Sequence, residues 1–153
     1  CAPAALPRKV HAVLLLEPAV SHLCFANQLP VRNTPGGYRE ALNRVERPIF
    51  STFSRKDVPL TQTFHLALVR PSDLGEARIA AAAGEPPNWF AALGGFGPRR
   101  AGEKILDMQL PPSAYALDGN TRIYGLRGDA TIGGHGDISN TSTWWALHNM
   151  IRS

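Results

Sequence analysis

The feature that most constrains the fold is Val10 to Leu16, VHAVLLL, a short and almost unbroken apolar run closed by Glu17-Pro18. A strand with one wet face alternates apolar and polar residues. A continuous run of valine and leucine fits instead a strand covered on both faces, as in a parallel sheet. A short buried helix is the competing reading; the length of the run and its proline stop favour the strand. The run is therefore expected to lie centrally in a sheet, flanked on both sides, with Leu14 and Leu16 largely inaccessible to solvent.

The rest of the chain repeats this scale of element. Pro30 to Gly37 is a loop by composition, and Tyr38, Ala41, Leu42 and Val45 recur at helical spacing, which predicts a brief helix over 38–45. Pro48 to Ser54, PIFSTFS, is rich in strand formers, with proline tolerated at a strand's first position. Leu60, Phe64, Ala67 and Leu68 share one helical face before Pro71, and Ser72-Asp73 followed by Glu76 opens a further helix ending at Gly84. Glu85 to Tyr115 mixes Trp89, Phe90 and Phe96 with proline and glycine pairs and reads as an insertion outside the core. Thr121 to Leu126 alternates like a third strand, Gly133-Gly134-His135-Gly136 is a tight loop, and Trp144, Leu147 and Ile151 fall on one face of a closing helix. Strand, helix, strand, helices, insertion, strand, loop, helix is the order of an α/β chain with a doubly wound, mostly parallel sheet, and the first crossovers are long enough to return in parallel.

The totals are consistent with one domain: 153 residues, 44% hydrophobic and 18% charged, suffice for a single core. A net charge of +4 raises the question of nucleic acid, but the basic residues are scattered as Arg8-Lys9, Arg55-Lys56 and Arg99-Arg100 without a continuous stripe or a binding motif. No nucleic-acid partner is expected, and no apolar run approaches transmembrane length. Cys1 and Cys24 allow at most one disulfide, and Cys24 sits in an apolar stretch that suits a buried free thiol. The chain opens without an initiator methionine and reaches a buried-looking strand almost at once, which suggests a fragment or a processed product.

Two residues stand out as candidates for chemistry. Asp57 follows the strand Pro48 to Ser54 and precedes a helix, at the carboxyl edge of the sheet where open α/β folds place their sites. Capping that helix is the plainer role for it. His135 lies between a strand and a helix among three glycines, which let the backbone turn sharply. An acid after one strand and a histidine after the last can meet at one sheet edge. There the imidazole would serve as general base and the carboxylate would hold its tautomer.

IFSTFSRKD (Ile49 to Asp57) resembles the acid segment after the penultimate strand of α/β-hydrolases, and YGLRGDATIGGHGDIS (Tyr124 to Ser139) resembles their last strand and histidine loop. KVHAVLLLEPAVS (Lys9 to Ser21) is similar to the strand that follows their nucleophile helix. The resemblance implies that residues 1–153 form the C-terminal part of one α/β-hydrolase domain. The aromatic residues of the insertion at 85–115 could cover an apolar acyl group as a lid; an ordinary ordered surface loop is the alternative. It gives Asp57 the acid role and His135 the base role of a Ser-His-Asp triad in the family's chain order. No G-x-S-x-G occurs in the sequence. The nucleophile and the oxyanion hole would then lie upstream of Val10 or on another chain, and the isolated chain is expected to be inactive. The implied partners are that missing N-terminal portion and a small acyl or ester substrate, with no cofactor.

Competing readings remain open. A noncatalytic binding or scaffold protein would keep the fold and discard the chemistry. Cys1 could act as an N-terminal nucleophile with its own amine as base. Ser21 lacks the glycines of a nucleophile elbow and reads as a turn hydroxyl beside His22; His11 reads as a satisfied core or surface residue, and His65 and His148 fall on helices. His135 and Asp137 could contribute to a metal site, but neither H-x-x-x-H nor clustered cysteines accompany them. Gly94-Gly95-Phe96-Gly97 is only superficially a phosphate loop, since no Gly-Lys-Ser/Thr follows.

Overall fold

A computed structural model describes residues 7–30, 33–67 and 89–152. Among them four strands form one parallel sheet: β1 (Leu14–Leu15), β2 (Ile49–Phe53), β3 (Lys104–Asp107) and β4 (Ile123–Arg127), in the order β1-β2-β4-β3. Three short or medium helices accompany it: α1 (Ala41–Arg44), α2 (Leu93–Phe96) and α3 (Thr141–Arg152), with a π-helical turn at Pro59–Thr63. The molecule is an α/β protein, as the order of apolar runs predicts.

The sheet is covered on both faces because β2 and β4 are apolar at successive positions. Every residue of β2 is buried, and so are the first four of β4. Strand pairing sets Phe50 beside Tyr124 and Ile49 beside Ile123, and alternation along the strands sends these pairs to opposite faces. Phe50, Tyr124 and Leu126 pack with Ala146 and Met150 of α3 and with Met108, Tyr115 and Ile132. On the other face Ile49 and Ile123 meet Phe25, Leu42, Val45, Leu93 and Ala101. Arg122, just before β4, donates to the carbonyls of Leu42 and Val45 and so ties the end of α1 to the sheet.

The structure corrects three expectations. The run Val10 to Leu16 is not central: only Leu14 and Leu15 pair with β2, at the sheet margin, and Leu16 is 38% exposed. Its side chains do reach both faces, Leu14 toward one core cluster and Val13 and Leu15 toward the other. Apolar continuity reports covering of the faces, whereas the number of flanking strands is set by other parts of a chain.

The stretch assigned to an insertion outside the core contributes to it. Ala91 to Pro98 are buried, α2 entirely so, and β3 is the opposite edge strand. The glycines there serve close approach. A Cβ on Gly94 would lie 2.3 Å from the carbonyl carbon of Glu17, and one on Gly95 would lie 3.0 Å from the Leu60 oxygen. Trp89 and Phe90 are exposed.

Finally, α3 buries Ser142, Thr143, Ala146 and Met150, leaving Trp144 59% and Ile151 48% exposed, so the expected face Trp144, Leu147 and Ile151 is largely the outer one. Ala146 and Met150 pack with Phe50 and Tyr124, with Trp145 and Leu147 partly buried against the same cluster. The predicted helix over 38–45 is shorter, Ala41–Arg44, with Leu42 and Val45 buried and Tyr38 exposed. Leu60 is buried in the π-helical turn as its apolar face implies. Leu68 and the helix expected from Ser72 to Gly84 lie outside the described residues. None of the helices among the described residues is long and apolar enough to cross a membrane.

Candidate active site

β2 and β4 are neighbours running in parallel, with Phe53 opposite Arg127, so the segments leaving their carboxyl ends emerge side by side. Two bonds fasten those segments together. The Ser54 hydroxyl donates to the Ile132 carbonyl at 3.1 Å, and the Arg55 backbone N–H donates to Asp129 Oδ1 at 2.7 Å. The turn after β2 ends at Asp57, which is fully buried. The loop after β4 carries His135, whose side chain is 57% exposed.

His135 Nδ1 lies 2.9 Å from Asp57 Oδ2, although 78 positions separate the two residues. Asp57 Oδ1 accepts the backbone N–H of Leu60 at 3.0 Å. The sequence leaves capping and orientation of a histidine as alternatives for Asp57; each carboxylate oxygen performs one of them. The cap fixes the carboxylate plane, and Thr61 Oγ1 donating to the Asp57 carbonyl at 2.7 Å holds the backbone beneath it.

The histidine loop is shaped by its glycines and by two polar side chains. Gly136 has φ of 90°, where a side chain would strain the backbone. Asp137 Oδ2 accepts the Gly133 N–H at 2.8 Å. Asn140 caps α3 by accepting the Thr143 N–H at 3.0 Å, while its amide donates to the carbonyls of Thr131 and Asp137. The loop is thus anchored at both ends while the imidazole stays open to solvent.

A carboxylate can only accept, so Asp57 selects the tautomer with hydrogen on Nδ1. Nε2 then carries the lone pair, and no hydrogen bond among the described residues engages it. The hydrogen bond to Asp57, and secondarily its charge, raise the pKa of His135 above the ordinary imidazole value. A raised pKa contributes stability that is fully present below the unfolded value and is lost as pH rises through the folded one. Asp57→Asn should lower the His135 midpoint toward that of a free imidazole, read from ring proton shifts in an NMR titration. An unchanged midpoint would mean that the 2.9 Å contact does not govern the ring.

A third residue belongs to this neighbourhood, and the sequence reading passed over it as part of a strand stop. Glu17 follows β1 at the carboxyl edge, is 6% exposed, and has neither carboxyl oxygen hydrogen-bonded. Its φ of 38° is unusual for a residue with a side chain, and its N–H donates to Thr52 Oγ1 at 3.0 Å. Burial pushes its pKa up to about 7, with the charge of Asp57 the next contribution. The available signal was a glutamate directly ending an apolar strand, at the edge where sites form.

The remaining polar candidates have structural positions. Ser21 Oγ donates to the Trp89 carbonyl at 2.9 Å and accepts the Leu23 N–H at 3.2 Å, which is a turn hydroxyl's role. His22 is buried, and burial together with Arg99 and Arg100 lowers its pKa to about 4. His11 is a surface residue bonded to Glu46 at 2.8 Å, His65 is buried, and His148 stacks on Trp145. Cys24 is a free thiol whose pKa burial pushes up to about 12, which suppresses the thiolate. Cys1 lies outside the described residues. Among the described residues no group of three or more His, Cys, Asp or Glu side chains could hold a metal ion. A cavity of about 760 Å³ is lined by Val20, Leu23, Cys24, Tyr38, Trp89 and Phe90 among others, nearly all apolar.

Comparison with protein-family models, with curated protein sequences and with solved structures finds no match to this chain.

Proposed function

We propose that this chain carries the acid and the base of a serine hydrolase of the α/β-hydrolase class, acting on an ester or a related acyl bond. The observation that supports this most is the 2.9 Å bond between buried Asp57 and His135, with Nε2 of the ring directed away from the carboxylate. Acid and base follow neighbouring parallel strands in the chain order of that class. In this reading the acyl group would lie in the apolar cavity lined by Val20, Ser21, Trp89 and Phe90, whose lining does not include Asp57 or His135.

In this reading Nε2 takes the proton of a nucleophilic hydroxyl as its oxygen attacks the acyl carbon. The imidazolium is held by Asp57 and then returns the proton to the departing alkoxide. Hydrolysis of the acyl intermediate repeats the cycle with water. On the same reading the hydroxyl would be supplied upstream of Val10 or by another chain, since no G-x-S-x-G is present in the sequence. The backbone donors for the oxyanion would come from the same source.

A fluorophosphonate, which captures an activated serine by forming a P–O bond with loss of fluoride, tests the assignment. The intact protein should be labelled on one serine N-terminal to Val10 or on a partner chain, and Asp57→Asn should slow labelling steeply. An intact protein that resists labelling and leaves esters of several acyl lengths untouched would favour a noncatalytic binding or scaffold protein.

A further inference from the structure

Parallel strands β1 and β2 are neighbours, and each is followed by a buried acid: Glu17 directly beyond β1, Asp57 beyond the turn after β2. The two acids are treated differently. Asp57 accepts from Leu60 and pairs with His135, whereas both oxygens of Glu17 are buried without a partner. The backbone holds Glu17 in this position despite its left-handed φ of 38°: its N–H is fixed on Thr52, and Gly94 of α2 packs against its main chain with no room for a side chain. A buried carboxyl group kept without hydrogen bonds, on a strained backbone, is costly to the fold and calls for a functional account.

We propose that Glu17 is a further positioning residue of the Asp57–His135 site, a second acid that adjusts the basicity of the imidazole through space rather than by a hydrogen bond. The inference rests on the reading of His135 as the base. The charged groups acting on Glu17 are Asp57 from the turn after β2, and His135 and Asp137 from the loop after β4; α2 presents only the backbone of Gly94. Asp57 and Asp137 oppose ionisation of Glu17, and an imidazolium at His135 favours it. The effect is reciprocal, since the Glu17 charge raises the His135 pKa.

On this proposal the charge states of Glu17 and His135 influence one another. When Nε2 takes up a proton, Glu17 is driven to release its own. The imidazolium then faces two negative charges, Asp57 in contact and Glu17 nearby. In acid Glu17 is neutral and the base weaker; through the neutral range Glu17 ionises and the base strengthens. A residue serving only to fill space would not couple the two titrations.

The experiment is a paired NMR titration of the protein, following the Glu17 side-chain carboxyl carbon and the His135 ring. The carboxyl should titrate in the neutral range and His135 should show two inflections. Glu17→Gln has the shape of the neutral acid and should preserve the fold while leaving His135 with one inflection, its midpoint lowered. Glu17→Asp should restore the second inflection. The proposal is overturned if Glu17 titrates as an ordinary carboxylate, or if His135 behaves identically in wild type and Glu17→Gln. Neither readout needs a nucleophile or a substrate, so failure of the hydrolase reading would appear separately, as absent labelling and turnover with these titrations intact.

Discussion

On the proposed hydrolase reading, replacing His135 with alanine should lower kcat for a short activated ester by roughly 10⁴-fold or more, with little change in KM. The imidazole is exposed and contributes no core packing, so the stability lost should be limited to its bond with buried Asp57, about 1–3 kcal/mol. A rate loss on that scale in a variant that stays folded separates chemistry from scaffold. In that reading the loss falls on kcat, because proton transfer at Nε2 would occur in the transition state and not in ground-state binding. Residual activity within tenfold of wild type, in a folded variant, would remove His135 from the mechanism. If that activity then disappeared when Cys1 was blocked, the N-terminal thiol would be the nucleophile instead.

The parts of this site legible in the sequence are those where one residue type has one structural use. β2 was found because PIFSTFS is rich in strand formers and β4 because TRIYGL alternates, although in the fold both are buried at nearly every position. Asp57 and His135 were found because each follows such a strand. Glycine misled because it has two uses. In Gly133 to Gly136 it turns a loop, and in Gly94 and Gly95 it admits a neighbouring backbone, so α2 resembled a flexible insertion although it is part of the core. β3, KILD, carries a charge at each end and is only half-buried between them, the pattern of an edge strand that composition barely separates from a loop.

α3 misled for a related reason: two of its large apolar side chains, Trp144 and Ile151, are outside, while Ser142, Thr143 and Ala146 are inside with Met150. Hydropathy ranks a tryptophan above an alanine for burial, whereas here Ala146 is the buried one and Trp144 the exposed. Glu17 escaped because its significance lies in the absence of a partner, which three-dimensional proximity decides and sequence does not. Burial of a carboxyl group beside another acid is invisible until β1 and β2 are set side by side.

Phe50→Ala should destabilise the protein by about 3–5 kcal/mol in reversible denaturation, and lower its Tm by about 10 °C. Phe50 is fully buried in β2, edge-on to Tyr115 at 5.6 Å and to Tyr124 at 5.7 Å between ring centroids. Removing it leaves a cavity beneath α3 that two tyrosines cannot fill, because their hydroxyls are tied to the backbone N–H groups of Gln109 and Asp118. The same cluster contains Ile132, whose carbonyl accepts from Ser54 and so joins the histidine loop to the turn bearing Asp57. Loosening Ile132 should therefore lengthen the Asp57–His135 contact and lower the His135 midpoint in the same variant. Ile49→Ala, on the opposite face, should cost about 2–5 kcal/mol but leave that midpoint nearly unmoved, since its cluster holds no residue of the histidine loop. A Phe50→Ala loss below about 1 kcal/mol, well under the range for a buried aromatic, would mean that this face is not the core. Equal midpoint shifts in the two variants would mean that the loop senses global stability rather than the packing directly beneath it.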